Sequence, residues 1–185
     1  MAEYYLVSQL PSLDGISENA PLPITQARFE ELCEQLLNKK ALAVLSEITL
    51  NPPREGEKTA SAVVSQWQEG ERLLRLALAG LRAEKMNKQF DCELQSFPAS
   101  VLQAARTAME IESPMDAEKF LNRFRLDSLE ALRPTDAFSQ EFVFYFALKL
   151  KLLDRVHRFD TERGQEAYKN IYQSILNGED PEVVQ

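Results

Sequence analysis

The sequence predicts an all-α fold, a compact bundle of about six helices packed around one buried central helix. Three observations carry this expectation. From Phe142 to Leu148 seven consecutive residues are apolar, so no face of a helix there is free of hydrophobic side chains, and such a helix is buried on every side. Elsewhere apolar residues recur at i, i+3, i+4 and i+7, the spacing of amphipathic helices. No second persuasive strand is present to partner the only candidate, near the N-terminus.

The central helix is placed at Asp136 to Phe159. Burying Phe142, Val143, Phe144, Tyr145, Phe146 and Leu148 is worth roughly 1.5 to 3 kcal/mol each, an upper estimate. Other helices must surround it to collect that energy. Lys149, Lys151, Asp154, Arg155 and Arg158 interrupt the later pattern and predict a wet face as the helix leaves the core. The apolar run is far short of the roughly 20 residues a membrane span needs.

In chain order, Tyr4 to Leu13 is expected as a short helix or packed arm, and Asp14 to Pro23 as a loop. Thr25 is placed to cap a helix carrying Phe29, Leu32, Cys33, Leu36 and Leu37 on one side, with Ile24 stapled onto Phe29. After a break at Asn38 to Lys40 the stripe continues through Leu42, Leu45 and Ile48. Asn51 to Lys58 is a charged loop with a double proline.

Thr59 or Ser61 opens a long helix with Val63, Trp67, Leu74, Leu78 and Leu81 along one side and favourable Glu71–Arg75 and Glu69–Arg72 pairs. Gly70 and Gly80 within it each cost about 1 kcal/mol against alanine, which points to close helix contacts. Ser96 and Pro98 start a helix with Val101, Leu102, Ala105 and Met109 facing inward. Asp116 is expected to cap the next one, which carries Phe120, Leu121, Phe124, Leu126, Leu129 and Leu132 and closes before Pro134. Asp160 caps a last helix that stops at Asn177-Gly178.

The whole chain, 1–185, reads as one helical domain, with a division into two lobes, 24–112 and 114–178, and an acidic tail at 179–185. Pro23–Phe29 and Pro114–Phe120 share an order of proline, staple, cap and basic-aromatic residues. That echo fits two well-made helix starts better than a duplication.

Net charge is −8, so phosphate backbones and anionic lipid surfaces repel the chain as a whole. The balance is uneven, with nine basic and seven acidic residues between Lys119 and Arg163. The two cysteines, Cys33 and Cys92, lack a CxxC spacing, and Glu3 stands where a signal peptide carries basic residues. A reducing cytoplasm fits, and Cys33 falls on an apolar stripe as a small core residue.

Catalytic patterns are lacking. The single histidine, His157, has no second histidine for a metal site and reads as structural. No GxxxxGK[ST], GxGxxG or GxSxG occurs. No cofactor and no metal are expected, and no residue is assigned a catalytic role. Two sets of residues are candidates for protein contact. Lys151, Arg155 and Arg158 form a basic stripe at i, i+4 and i+7 that suits an acidic partner, although a solvated face is the simpler reading. Trp67 with Arg72 and Arg75 has the composition of an interface hot spot, although Trp67 in the core is again simpler.

Several stretches together resemble one family. The opening Tyr4-Tyr5-Leu6-Val7-Ser8-Gln9-Leu10-Pro11-Ser12-Leu13 is similar to the YYLVxxLPxL start of an uncharacterised helical family encoded among bacterial V/A-type ATPase genes. Phe29-x-x-Leu32-Cys33, Trp67-x-x-x-Glu71-Arg72-Leu73-x-Arg75 with Arg82, Leu129-Glu130-Ala131-Leu132 and Ala147-Leu148-Lys149-Leu150 with Arg155 look like its later segments. The chain is shorter than many members of that family, which bears on the middle region around Lys85 to Ser96. The resemblance implies a non-enzymatic all-helical protein related in role, and distantly in fold, to the C (or d) subunit that joins the central stalk to the membrane ring. Its implied partners are other ATPase subunits, with membrane contact only indirect. The competing expectations are an independent helical adaptor and an enzyme of unfamiliar helical type.

Overall fold

The structure, a computed structural model, describes residues 2–16, 20–52, 59–90, 96–158 and 168–173. Among these residues regular structure is entirely helical. The named helices are α1 (Ala2–Gln9), α2 (Gln26–Leu36), α3 (Lys39–Glu47), α4 (Ala62–Lys85), α5 (Ala99–Glu110), α6 (Pro114–Glu130) and α7 (Gln140–Arg158). Residues 168–173 are also helical. Cys92, the expected cap Asp160, Asn177-Gly178 and the tail 179–185 lie outside the described residues.

The expected central helix is α7, with every residue from Val143 to Leu150 buried, and Leu152 and Leu153 as well. Helices α1, α3, α4 and α6 all pack against it. Two boundaries differ from expectation. Asp136 does not open the helix: its carboxylate accepts from the Phe138 amide at 2.9 Å in the preceding turn, and the Ser139 hydroxyl accepts from the Phe142 amide at 3.2 Å. Lys149 does not lie on a wet face either. It is buried because it has carboxylates to bind, as set out below.

Capping explains most helix starts. The side chains of Thr25, Asn38 and Ser61 accept from the amides of Arg28, Ala41 and Val64, which satisfies amides that the first helical turn leaves open. Helix α3 thus begins at Lys39, and the break falls at Leu37 and Asn38, earlier than the expected Asn38 to Lys40. Helix α6 is capped by Ser113, not Asp116, with Pro114 at its start. Proline there loses no hydrogen bond and has the helical φ already set. Thr25 follows Pro23 by two residues, whereas Ser113 precedes Pro114, so the sequence echo does not place equivalent residues at the two caps.

The buried apolar residues form two clusters. The larger surrounds α7 and takes Leu6, Phe29, Leu32, Val64, Trp67 and Leu129 from the helices around it. The smaller lies between α4, α5 and α6 and contains Leu74, Ala77, Leu78, Val101, Ala105, Ala108 and Leu121. Helices α4 and α6 each contribute to both, so the clusters cut across the division between 24–112 and 114–178. On α4 the change from one cluster to the other falls between Trp67 and Leu74, and on α6 between Leu121 and Leu129. The charged residues Glu71 and Arg125 stand at that joint.

Candidate functional site

Glu71 continues the apolar stripe of α4, one turn after Trp67, and Arg125 lies between Leu121 and Leu129 on the stripe of α6. Packing the two stripes together buries both charges, leaving relative exposures of 3% and 6%. An unpaired charge at such depth costs several kcal/mol, so each requires a partner. Arg125 Nε donates to one Glu71 oxygen at 2.9 Å, and Arg75 Nε donates to the other at 2.8 Å. Arg125 Nη1 reaches Glu118 and Asn122, at 3.1 and 3.0 Å, and Glu118 also accepts from Arg155 at 2.5 Å. One chain of ion pairs therefore links α4, α6 and α7.

Beside this chain a cavity of about 390 Å³ opens between α4, α6 and the start of α5. Trp67, Leu74, Val101, Phe124 and Leu132 give it apolar walls; Glu71 and Arg125 border it, with Ser100 and Ser128 supplying hydroxyls. Gly70 faces it too, and a Cβ built on Gly70 meets no atom within 4 Å. The expected close helix contact at Gly70 is therefore absent. The Trp67 indole nitrogen, shielded from water, has no hydrogen-bond partner. Native proteins rarely leave a buried donor so.

A second polar cluster anchors the N-terminal segment to α7. Lys149 Nζ donates to Asp14 at 2.5 Å, to Glu130 at 3.0 Å and to the Tyr145 hydroxyl at 3.2 Å. Tyr145 in turn donates to Glu130 at 2.5 Å. The Lys149 ammonium holds the Asp14 carboxyl below its ordinary range. Burial pushes the Glu130 carboxyl up, but hydrogen bonds from Tyr145, Lys149 and Arg133 outweigh it and leave the net shift downward. For Lys149 burial acts downward and its three acceptors win, raising its pKa. Burial, then the Glu130 carboxylate, push the Tyr145 phenol up to about 12.

A third feature is exposed. Helix α1 turns Leu6 wholly inward, while Tyr4 and Tyr5 remain 55% and 61% exposed and Phe138 47%. Tyr4 lies 4.7 Å from Phe138 and 6.1 Å from Tyr5 between ring centroids. Hydrogen bonding of Glu3 to Gln140, at 2.7 Å, fixes this edge onto α7 and holds the Glu3 carboxyl down at about 2.

No family model, no curated protein and no solved structure matches the chain.

The residues expected at a contact surface are dispersed by the fold. Of the basic stripe, Arg158 is exposed and pairs with Asp154, Lys151 is half-buried, and Arg155 turns to Glu118. Trp67 is 4% exposed and forms cavity wall. Arg72 pairs with Glu69 while its Nε is buried without a partner, and Arg75 braces Glu71 and the Leu50 carbonyl. The predicted Glu71–Arg75 and Glu69–Arg72 pairs are thus present, but they act within the fold.

His157 ties the loop before α2 to α7, its ring nitrogens lying 2.8 Å from the Leu153 carbonyl and 2.5 Å from the Ala20 carbonyl. Cys33 is buried, and burial pushes its thiol up to about 12, the condition of an inert core thiol. Among the described residues no group of three or more His, Cys, Asp or Glu could hold a metal ion. No described helix is long and apolar enough to cross a membrane.

Proposed function

We propose that the chain is a non-catalytic helical subunit or assembly partner of a bacterial V/A-type ATPase, C/d-like at the junction of stalk and membrane ring. The observation that carries this reading is the exposed aromatic edge on α1. The decapeptide that resembles the start of the ATPase-operon family forms α1 and the turn after it. Instead of burying both tyrosines, the fold leaves Tyr4 and Tyr5 in water beside Phe138. Adjoining exposed aromatics have the composition of a protein-contact surface, where tyrosine supplies large area at low entropic cost. The proposed partner surface is on other subunits of the complex, and any membrane contact is indirect, through them.

Affinity purification of the tagged chain from its native cytoplasm and detergent-solubilised membranes, with mass spectrometry of what co-purifies, tests the reading. Stalk or membrane-ring subunits are expected with the wild-type chain and not with the Tyr4→Ser/Tyr5→Ser variant, at unchanged thermal midpoint. Recovery of no ATPase subunit from a lysate that contains the complex overturns the reading and leaves an independent helical adaptor in its place.

A further inference from the structure

On the reading of the α1 edge as the contact surface, we propose that its occupant is a basic segment of the partner protein, whose arginine or lysine side chains lie over the exposed rings and pair with Asp136. Tyr4, Tyr5 and Phe138 expose three rings at this edge, and the Tyr4 and Phe138 centroids are 4.7 Å apart. Aromatic rings carry negative faces that attract guanidinium and ammonium groups, the more so once water is displaced.

The charges around the rings select the same chemistry. No lysine or arginine precedes Arg28, and Arg133 is the only basic residue between Glu130 and Phe142. Arg133 is committed within the fold. It pairs with Asp14 and Glu130, and its guanidinium carbon lies 5.9 and 6.0 Å from the Phe142 and Tyr145 ring centroids. The Glu3 carboxylate is held by Gln140 and by the amino terminus. Asp136 differs from both: it is exposed two residues before Phe138, accepts from the Phe138 amide, and has no ion pair among the described residues. An ionised carboxylate with one hydrogen bond keeps acceptor sites for a cation. Other occupants fit less well. These carboxylates repel an anionic lipid surface, and a second copy docked edge to edge about a two-fold axis would bring two acidic edges together.

The probes are three peptides of about 15 residues with one helical leucine pattern and arginine, glutamine or glutamate at every polar position. Each is titrated calorimetrically into the full chain and followed by amide NMR shifts. Saturable binding of the arginine peptide is expected, with shifts on α1 and at Asp136 to Ser139, and at least about tenfold weaker binding of the glutamate peptide. Asp136→Asn should weaken the arginine peptide about threefold to tenfold. Tyr4→Ser with Tyr5→Ser should abolish its binding at unchanged thermal midpoint. Absence of saturable binding by the arginine peptide overturns the proposal, as does equal binding of the glutamate peptide, shifts confined to another surface, or full binding by the folded tyrosine variant. Self-association in sedimentation, or flotation with phosphatidylserine vesicles, that the tyrosine variant loses would give the edge to a second copy or to lipid and also overturn it. Recovery of ATPase subunits while the arginine peptide fails leaves the subunit reading standing and removes the basic occupant; the opposite pair of results does the reverse.

Discussion

Helices α4 and α7 are the two longest of the named helices, 24 and 19 residues, and they achieve burial in opposite ways. Helix α7 is apolar on every face from Phe142 to Leu148 and fills the space it enters. The one charge it buries there, Lys149, reaches outward to Asp14 and Glu130, which are half exposed. Helix α4 is amphipathic and carries Glu71 on its buried stripe, so the fold had to bring Arg125 to meet it. Its neighbours are small, with Ala104, Ala105 and Ala108 on α5, and a cavity bordered by Gly70 remains beside it. An all-apolar helix specifies its surroundings loosely and packs densely. A stripe with one charge in it specifies a particular partner, and the polar geometry leaves space.

The largest effect that would sharpen this contrast is at the buried ion pair. Glu71→Ala leaves buried Arg125 with Glu118 as its one remaining carboxylate and Nε without an acceptor, and is expected to cost about 3–5 kcal/mol of unfolding free energy, read by urea denaturation. Replacing both partners, Glu71→Leu with Arg125→Leu, is expected to recover most of that loss, because an apolar pair of similar size needs no desolvation. A double variant as unstable as the sum of its single changes would show that the pair cannot be treated as a unit.

Leu148→Ala on α7, wholly buried, should cost about 2–5 kcal/mol. Here the loss comes from a void, and no charge substitution elsewhere should restore it. Rescue of Leu148→Ala by any polar change would break the comparison.

The smallest effect is the acid dependence of the Lys149 cluster. Asp14 and Glu130 have folded pKa values below their ordinary 3.8 and 4.5. Their contribution is therefore complete above those values and is lost as pH falls through the lower, folded ones. Side-chain exposures of 53% and 45% limit each pair to less than about 1 kcal/mol. Lys149→Met should flatten this acid limb in urea midpoints measured from neutral pH downward. An unchanged slope in the variant would assign the acid sensitivity to other groups.

Of the site, the local Glu71–Arg75 pair was expected from the sequence, and the Glu71–Arg125 pair was missed although a signal for it exists. Glu71 falls on the stripe that Val63, Trp67 and Leu74 define, and Arg125 falls between Leu121 and Leu129, so opposite charges on two apolar stripes were visible as a signal for a buried pair. The cavity had no comparable signal. Gly70 reads equally well as a close helix contact, and only the distance to neighbouring atoms distinguishes contact from open space. Nor could the chain order show that Glu141 of α7 accepts from Ser61 and from the Val63 amide, at 2.8 and 3.0 Å, adding a distant carboxylate to the cap of α4, where the helix dipole favours an anion.

By itself the sequence determined what depends on neighbours within a turn or two: the helical periodicity, the cap at Thr25, the Glu71–Arg75 pair, and the burial of Val143 to Leu148. Tertiary structure alone decided the partners far apart in the chain. Glu71 and Arg125 are separated by 54 residues and Asp14 and Lys149 by 135. The physical reason is that hydrophobic patterning states which face of a helix must leave water, while the packing of side chains decides which other face covers it, which charges meet there, and where a gap is left.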